Sequence, residues 1–182
     1  MKIESTAFTS SDVEKFLDEL VDHDRRLVAD RLEAASLRLA GLGPSIRSGH
    51  GDGTWSEHEI LAHIAVLSKF YGILVHKISS GQLPELNLLQ NVNLRDVAGQ
   101  QMAELEPAEL LRLIKVDHDR TLKTLRSMEP SALRRTTQLE DGTTMSAMDV
   151  ARLPLLSHLE LHLAQLEKSR GEASLPRGTP SE

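Results

Sequence analysis

Apolar side chains recur along most of this chain at spacings of three and four, the period of helices that bury one face. Val13, Phe16, Leu17, Leu20, Leu27, Val28 and Ala35 form the first run. Its start falls at Ser10 or Ser11, since Ser11 followed by Glu14 has capping-box spacing, and GLGPS ends it. A Gly-rich GHGDG then leads into TWSEHEILAHIAVLSKFYGILVHKISSG. Here Ser56 and Glu59 repeat the cap, Trp55 is placed to staple the first turn, and Ile60, His63, Leu67, Phe70, Leu74 and Ile78 form the buried stripe. Gly81 stops this second helix. Leu110, Leu113, Ile114, Leu122 and Leu125 mark a third, from Pro107 to about Met128, and a fourth runs from Ser146 to about Lys168 after the polar turn LEDGTT.

Four such segments predict an all-α fold, a four-helix bundle forming a single domain over residues 1–182, with a folded core from about 10 to 170 and a loose tail from about 171. Residues 81–105 are irregular, with room for a short helix, and so long a connection between helices two and three removes the need for up-and-down threading. The halves echo each other. VDHDRRL at 21–27 returns as VDHDRTL at 116–122, and the GTW-S start of helix two returns more faintly as GTTMS, which aligns Glu59 with Asp149. Pro154 falls inside the fourth helix, where it removes a donor and clashes with the Val150 carbonyl, so a bend or a late helix start is expected there.

Composition narrows the chemistry. Apolar residues make up 40%, with one Trp, one Tyr and three Phe, so Leu, Ile, Val and Ala must build the core. The 21 Lys and Arg against 27 Asp and Glu give a formal charge of -6, which provides no general attraction to nucleic acid or an anionic membrane. An uninterrupted apolar run of about 18 residues and a signal-peptide pattern are both absent, so the cytoplasm is the expected location. Cysteine is absent too. Any metal would therefore be held by imidazole and oxygen.

Histidine supplies the candidate ligands. His158 and His162 lie four apart in SHLELHLAQL, about 40° around a helix, and can share an ion. His63, turned inward between Ile60 and Leu67, offers a third imidazole from another helix. Three neutral imidazoles leave a position open for water or substrate, as reactive rather than structural sites do. The competing reading is ordinary: a hydrogen-bonded core histidine and a surface pair. Two peptidase-like patterns fail on geometry. Glu160 lies about 200° from His158, and His58 about 140° from His63, so neither HLELH nor HEILAH reproduces a zincin.

Other polar residues have two readings each. Glu59 is either the first-turn acid of a capping box or a group that orients a ligand imidazole or takes a proton. Gln165 either hydrogen-bonds within the site or ends the polar side of its helix. Asp24 and Asp117, with His23 and His118, are pocket groups or ion-paired flanks. Arg152 is a surface residue or a contact for an anionic substrate.

Trp55, Ser56, Glu59 and His63, followed by His158, His162 and Gln165, resemble the DinB-like and YfiT-like four-helix-bundle proteins, whose second helix reads W-S-x-x-E-x-x-x-H and whose last reads H-x-x-x-H-x-x-Q. The resemblance spans about residues 10 to 170. It implies a divalent ion, commonly zinc, nickel, iron or manganese, on His63, His158 and His162. It also implies an enzyme that activates a water or a low-molecular-weight thiol for hydrolysis or S-transfer on a small-molecule substrate, members including bacillithiol- and mycothiol-dependent transferases, a maleylpyruvate isomerase and metal-dependent hydrolases. Homodimers are frequent among them. Where members often carry an acid about five positions after the first histidine, this chain has Ser68 and Lys69. A non-catalytic metal-binding bundle with a structural or ligand-binding role is the alternative.

Overall fold

The computed structural model describes residues 9–52, 54–87 and 98–173, with side chains to Arg170. Its first helix, α1, spans Ser10–Leu42, opening at Ser10 as expected, and is capped by Thr9. Thr9 Oγ1 accepts the Asp12 N–H at 3.2 Å and the Asp12 carboxylate accepts the Thr9 N–H at 2.8 Å, so the box stands two residues upstream of the one expected from Ser11 and Glu14. The fully buried residues of α1, Val28, Ala29, Leu32, Ala35 and Leu39, all lie in its second half, while Val21 packs against the core half-buried from the first. Val13, Phe16, Leu17, Leu20 and Leu27 stay exposed, which corrects the expectation that the whole stripe packs inward.

Helix α2 spans Glu57–Ser79 and is buried more widely than the single stripe expected of it, with Leu61, Ile64, Ala65 and Val75 enclosed as fully as Leu67, Leu74 and Ile78. It is long and apolar enough to cross a membrane by length and composition, yet most of that apolar window is buried inside the bundle. Helix α3 spans Pro107–Ser127, α4 is the short turn Pro130–Leu133, and the last long segment is built from α5 (Ala147–Val150), a π-helical stretch Ala151–Ser157 and α6 (His158–Ala173). Helical structure thus runs three residues beyond the expected tail boundary at 171, and the rest of that tail lies outside the described residues. Of the short helix allowed between helices two and three, residues 98–102 are helical and 88–97 lie outside the described residues.

Ion pairs and close approaches fix how the helices run. Arg31 binds Glu160 and, seven residues on, Arg38 binds Glu167, so α1 and α6 are parallel. Arg126 meets Glu33 near the end of α3, and Gly43, just past the end of α1, lies against Leu111 near the start of α3, so α1 and α3 are antiparallel. Ser68 meets His118 and Gly72 meets Thr121, which makes α2 and α3 parallel neighbours. Two parallel helices in sequence need a long return, and residues 80–106 provide it. The order is therefore up, down, down, up, with α1 diagonal to α2.

A small sheet was not expected. Thr136–Leu139 (β2) and Thr144–Ser146 (β3) form a hairpin, and Glu85–Leu86 (β1) joins β2 in parallel. The segment read as a polar turn is the hairpin's tip: Gly142 adopts φ 84°, and Asp141 accepts from the Thr143 N–H at 2.9 Å. Directly after β3, Ser146 and Asp149 form the N-cap box of α5, the counterpart of Ser56 and Glu59 on α2, so the faint echo at GTTMS corresponds to equivalent helix starts.

Pro154 marks an irregularity inside the fourth helical segment, as expected. It lies in the π-helical stretch, where backbone bonds close over one residue more than in an α-helix. Ser157 Oγ donates to the Arg152 carbonyl at 3.0 Å within the same stretch. His158 begins regular helix immediately afterwards.

Candidate metal centre

Helices α2 and α6 are antiparallel neighbours, with Ser169 Oγ donating to Glu57 at one end of the contact. The triad lies on this contact. His63 from α2 and His158 and His162 from α6 each bring a ring nitrogen within 4.8 Å of the others. The His158 and His162 rings stack at 4.7 Å and 28°, as one helical turn requires. His63 meets them edge-on, 5.4 Å from His158 and 4.9 Å from His162.

The chemistry of His162 tests whether a cation fits. Its Nδ1 lies 2.8 Å from Gln165 Oε1, and an amide oxygen only accepts, so Nδ1 carries the proton and Nε2 is left with a bare lone pair. His162 is only 6% exposed, and its Nε2 has no hydrogen-bond partner among the described residues. A buried polar atom left so costs about 1–3 kcal/mol, and a metal ion would answer it. Of the two readings for Gln165, the site role is the one the structure gives.

Trp55 reaches the triad. Its ring centroid is 4.8 Å from that of His63 and 6.3 Å from that of His162, so it roofs the triad while remaining half-exposed. Beside it, a cavity of about 330 Å³ is lined by Trp55, Glu59, Ala62, His63, Gln100 and Ala103. Gln100 and Ala103 come from the long connection, whose irregular sequence gave no sign of reaching the site.

The hydrogen bonds of Glu59 cap α2 and tie down the loop before it. Its Oε2 accepts from the Ser56 N–H at 2.8 Å and the Gly51 N–H at 3.0 Å, while Oε1 faces His50 Nδ1 at 3.5 Å. The backbone donors of Ser56 and Gly51 hold its carboxyl down at about 2, a poor proton acceptor at neutral pH. What it does hold is the loop that carries Trp55. At Gly51 the turn is so tight that a Cβ would run into the Thr54 carbonyl.

Residues excluded on geometry are occupied elsewhere. His58 is buried, accepts the Gly49 N–H at Nδ1 (3.2 Å) and donates Nε2–H to the Leu105 carbonyl (2.7 Å), pinning the glycine loop to the long connection. Glu160 is held by Arg31 on the outside of the bundle. Arg152 pairs with Asp24, the flank reading for that acid, whereas Asp117 pairs with Arg120 at 3.0 Å and also lines a groove between α2 and α3. The two echoed histidines part company. His23 is exposed, whereas His118 is fully buried, lies 2.9 Å from Ser68 Oγ through Nε2, and is pushed down to about 4 by desolvation.

No protein-family description matches the chain, and no curated protein sequence does. Solved structures do. YfiT from Bacillus subtilis, described as a probable metal-dependent hydrolase with an unusual four-helix bundle topology, matches with a TM-score of 0.51 over 93% of this chain and 94% of its own, at 16% identity. The mycothiol-dependent maleylpyruvate isomerase matches with a TM-score of 0.59, and its histidine-to-alanine mutant with 0.61, each at 17% identity over 82% of this chain. This chain spans 60% of the isomerase's length. At these identities the likeness is one of fold: the chain has the YfiT-like, DinB-like four-helix bundle.

Proposed function

We propose that this bundle is a divalent-metal-dependent enzyme working at His63, His158 and His162, with zinc, nickel, iron or manganese as the ion. The observation that carries the reading is the bare, buried Nε2 of His162, facing two further imidazoles whose nitrogens lie within 4.8 Å. Such an ion supplies Lewis acidity that makes a water or a low-molecular-weight thiol nucleophilic near neutral pH, and the reaction class is hydrolysis or S-transfer. With no cysteine in the chain, a thiol nucleophile has to come from outside.

The chain's own residues do the rest. Gln165 holds His162 in the tautomer that presents Nε2. Trp55 closes one side of the triad against solvent. The adjacent cavity, of a size for a small organic substrate, is kept open by Ala62, Gly99 and Ala103, and the Gln100 amide offers a donor and an acceptor to orient what enters. Glu59 keeps the Trp55 loop in place.

Metal binding is tested by stripping and reloading the protein and measuring stoichiometry by elemental analysis. One equivalent is expected for the native chain and none for His158→Ala. The sole tryptophan gives a second readout: its emission is expected to be quenched by nickel in the native chain and unchanged in His158→Ala. Equal metal uptake by both proteins would overturn the site. Screening the loaded protein with low-molecular-weight thiols, electrophiles, esters and amides then separates chemistry from storage. Consistent absence of turnover would favour a non-catalytic metal-binding role.

A further inference from the structure

On the opposite side of α2 from the α6 contact, the parallel helices α2 and α3 enclose a groove of about 350 Å³ between their C-terminal halves. At its base Gly72 lets the two backbones approach so closely that a Cβ there would collide with the Thr121 hydroxyl. Among the described residues, five cationic or titratable nitrogen side chains, Lys69, His76, Lys77, Arg120 and Lys123, line it, with Asp117 as the single carboxylate. In a chain of formal charge -6 this is a local reversal of sign.

Helix-end electrostatics explains only part of it. Both helices end here, and His76, Lys77 and Lys123 lie within about a turn of those ends, where cations are favourable. Lys69 and Arg120 lie two or more turns away, beyond that effect. Nor does internal pairing explain it. Asp117 is held by Arg120 at 3.0 Å and also feels Lys69, while Lys77 and Lys123 have no ion-pair partner among the described residues. Between the cations the groove has an apolar lining that includes Ile73 and Met128. Its size suits a molecule of about a dozen non-hydrogen atoms rather than a nucleic-acid strand or a folded partner.

We propose that this groove is a binding site, separate from the histidine triad, for a small organic anion: a carboxylate or phosphate held by the cations of both helices, with an apolar body against Ile73 and Met128. Phenyl phosphate is a suitable probe, titrated into the full chain by isothermal calorimetry alongside inorganic phosphate, neutral benzyl alcohol and polyglutamate. Saturable one-to-one binding of phenyl phosphate is expected, weaker binding of inorganic phosphate, and none of benzyl alcohol. The double variant Lys69→Gln/Lys123→Gln, checked for an unchanged melting temperature, should weaken phenyl phosphate by at least about tenfold, as expected for losing charge-assisted contacts. Metal-free His158→Ala should bind it like the native chain, so that failure of the metal site and failure of this site are distinguishable. Three results would overturn the proposal: no saturation up to about 10 mM, the weak end of specific affinity; equal binding by the lysine variant; or tighter binding of polyglutamate, which would make the groove a contact for an acidic protein segment.

Discussion

At the scale of single residues, what each histidine does is decided by which of its nitrogens is already engaged. Gln165 fixes the His162 tautomer, so Gln165→Ala should lower metal affinity by about 10- to 100-fold, the usual effect of removing a group that orients a ligand. Competition with a chelator of known affinity measures this, and an unchanged constant would deny Gln165 its role. His118 carries a different consequence. Its folded value of about 4 lies below an unfolded value of about 6.5, so between these pH values the unfolded chain binds more protons. Stability is therefore full above about pH 6.5 and falls as the pH drops toward 4, by a total on the order of 3 kcal/mol from this group. Denaturant unfolding at pH 7 and pH 5 should show a smaller difference in His118→Gln than in the native chain; equal differences would contradict a buried neutral His118. The triad itself could be read in the sequence, because an i, i+4 pair and inward flanks are local signals. The contrast between His23 and His118 could not. Nearly identical heptapeptides gave opposite exposures because His118 lies on the face of α3 packed against Ser68 of the buried α2, whereas His23 lies on a solvent-facing side of α1.

At the scale of elements, the sequence specified the long helices well, since a 3.6-residue period sustained over twenty residues outweighs local noise, and it placed the Ser56 cap and the helix start near Ser146 where they are found. Boundaries followed weaker preferences: Thr9 with Asp12 prevailed over Ser11 with Glu14, although Glu is the usual third-position residue of a capping box. The strands were missed because two to four residues are too few for an alternating pattern to register, although Asp141-Gly142 carried a hairpin signal. The π-helical stretch is the most consequential irregularity, as it sets the rotation of α6 relative to α5. A π-turn holds about one residue more than an α-turn, so deleting Pro154 would remove both the extra residue and the missing donor and leave Val150 and Leu155 on their present faces. That deletion variant should fold, melt no lower than the native chain, and keep metal affinity within about tenfold. Deleting Leu161, though exposed, should abolish metal binding, because it changes the His158 to His162 spacing and rotates the rest of α6 by about 100°. Calorimetry and metal titration on the pair check the argument, and similar outcomes for both deletions would refute it.

At the scale of the whole molecule, the question is whether an ion at the triad would hold the bundle together or only work within it. The fold's crossing order was legible only as a permission: a connection of more than twenty residues allows α2 and α3 to be parallel, but the pairing itself depends on long-range contacts such as Ser68 with His118 and Arg31 with Glu160. Those contacts also answer the question. Leu159, Leu163 and Leu166 bury α6 in the common core, and Arg31 and Arg38 clamp its outer face to α1, all without the triad. Removing metal should therefore leave the helical circular dichroism intact. Excess metal at about 100 times its dissociation constant should add about 2.7 kcal/mol by mass action, a rise in melting temperature of roughly 5–10 °C for a chain of this size. His158→Ala should melt at the same temperature with and without metal. Collapse of the helical signal on chelation would show instead that the ion is a structural member of the core, and a reactive centre with an exchangeable position would then lose its support.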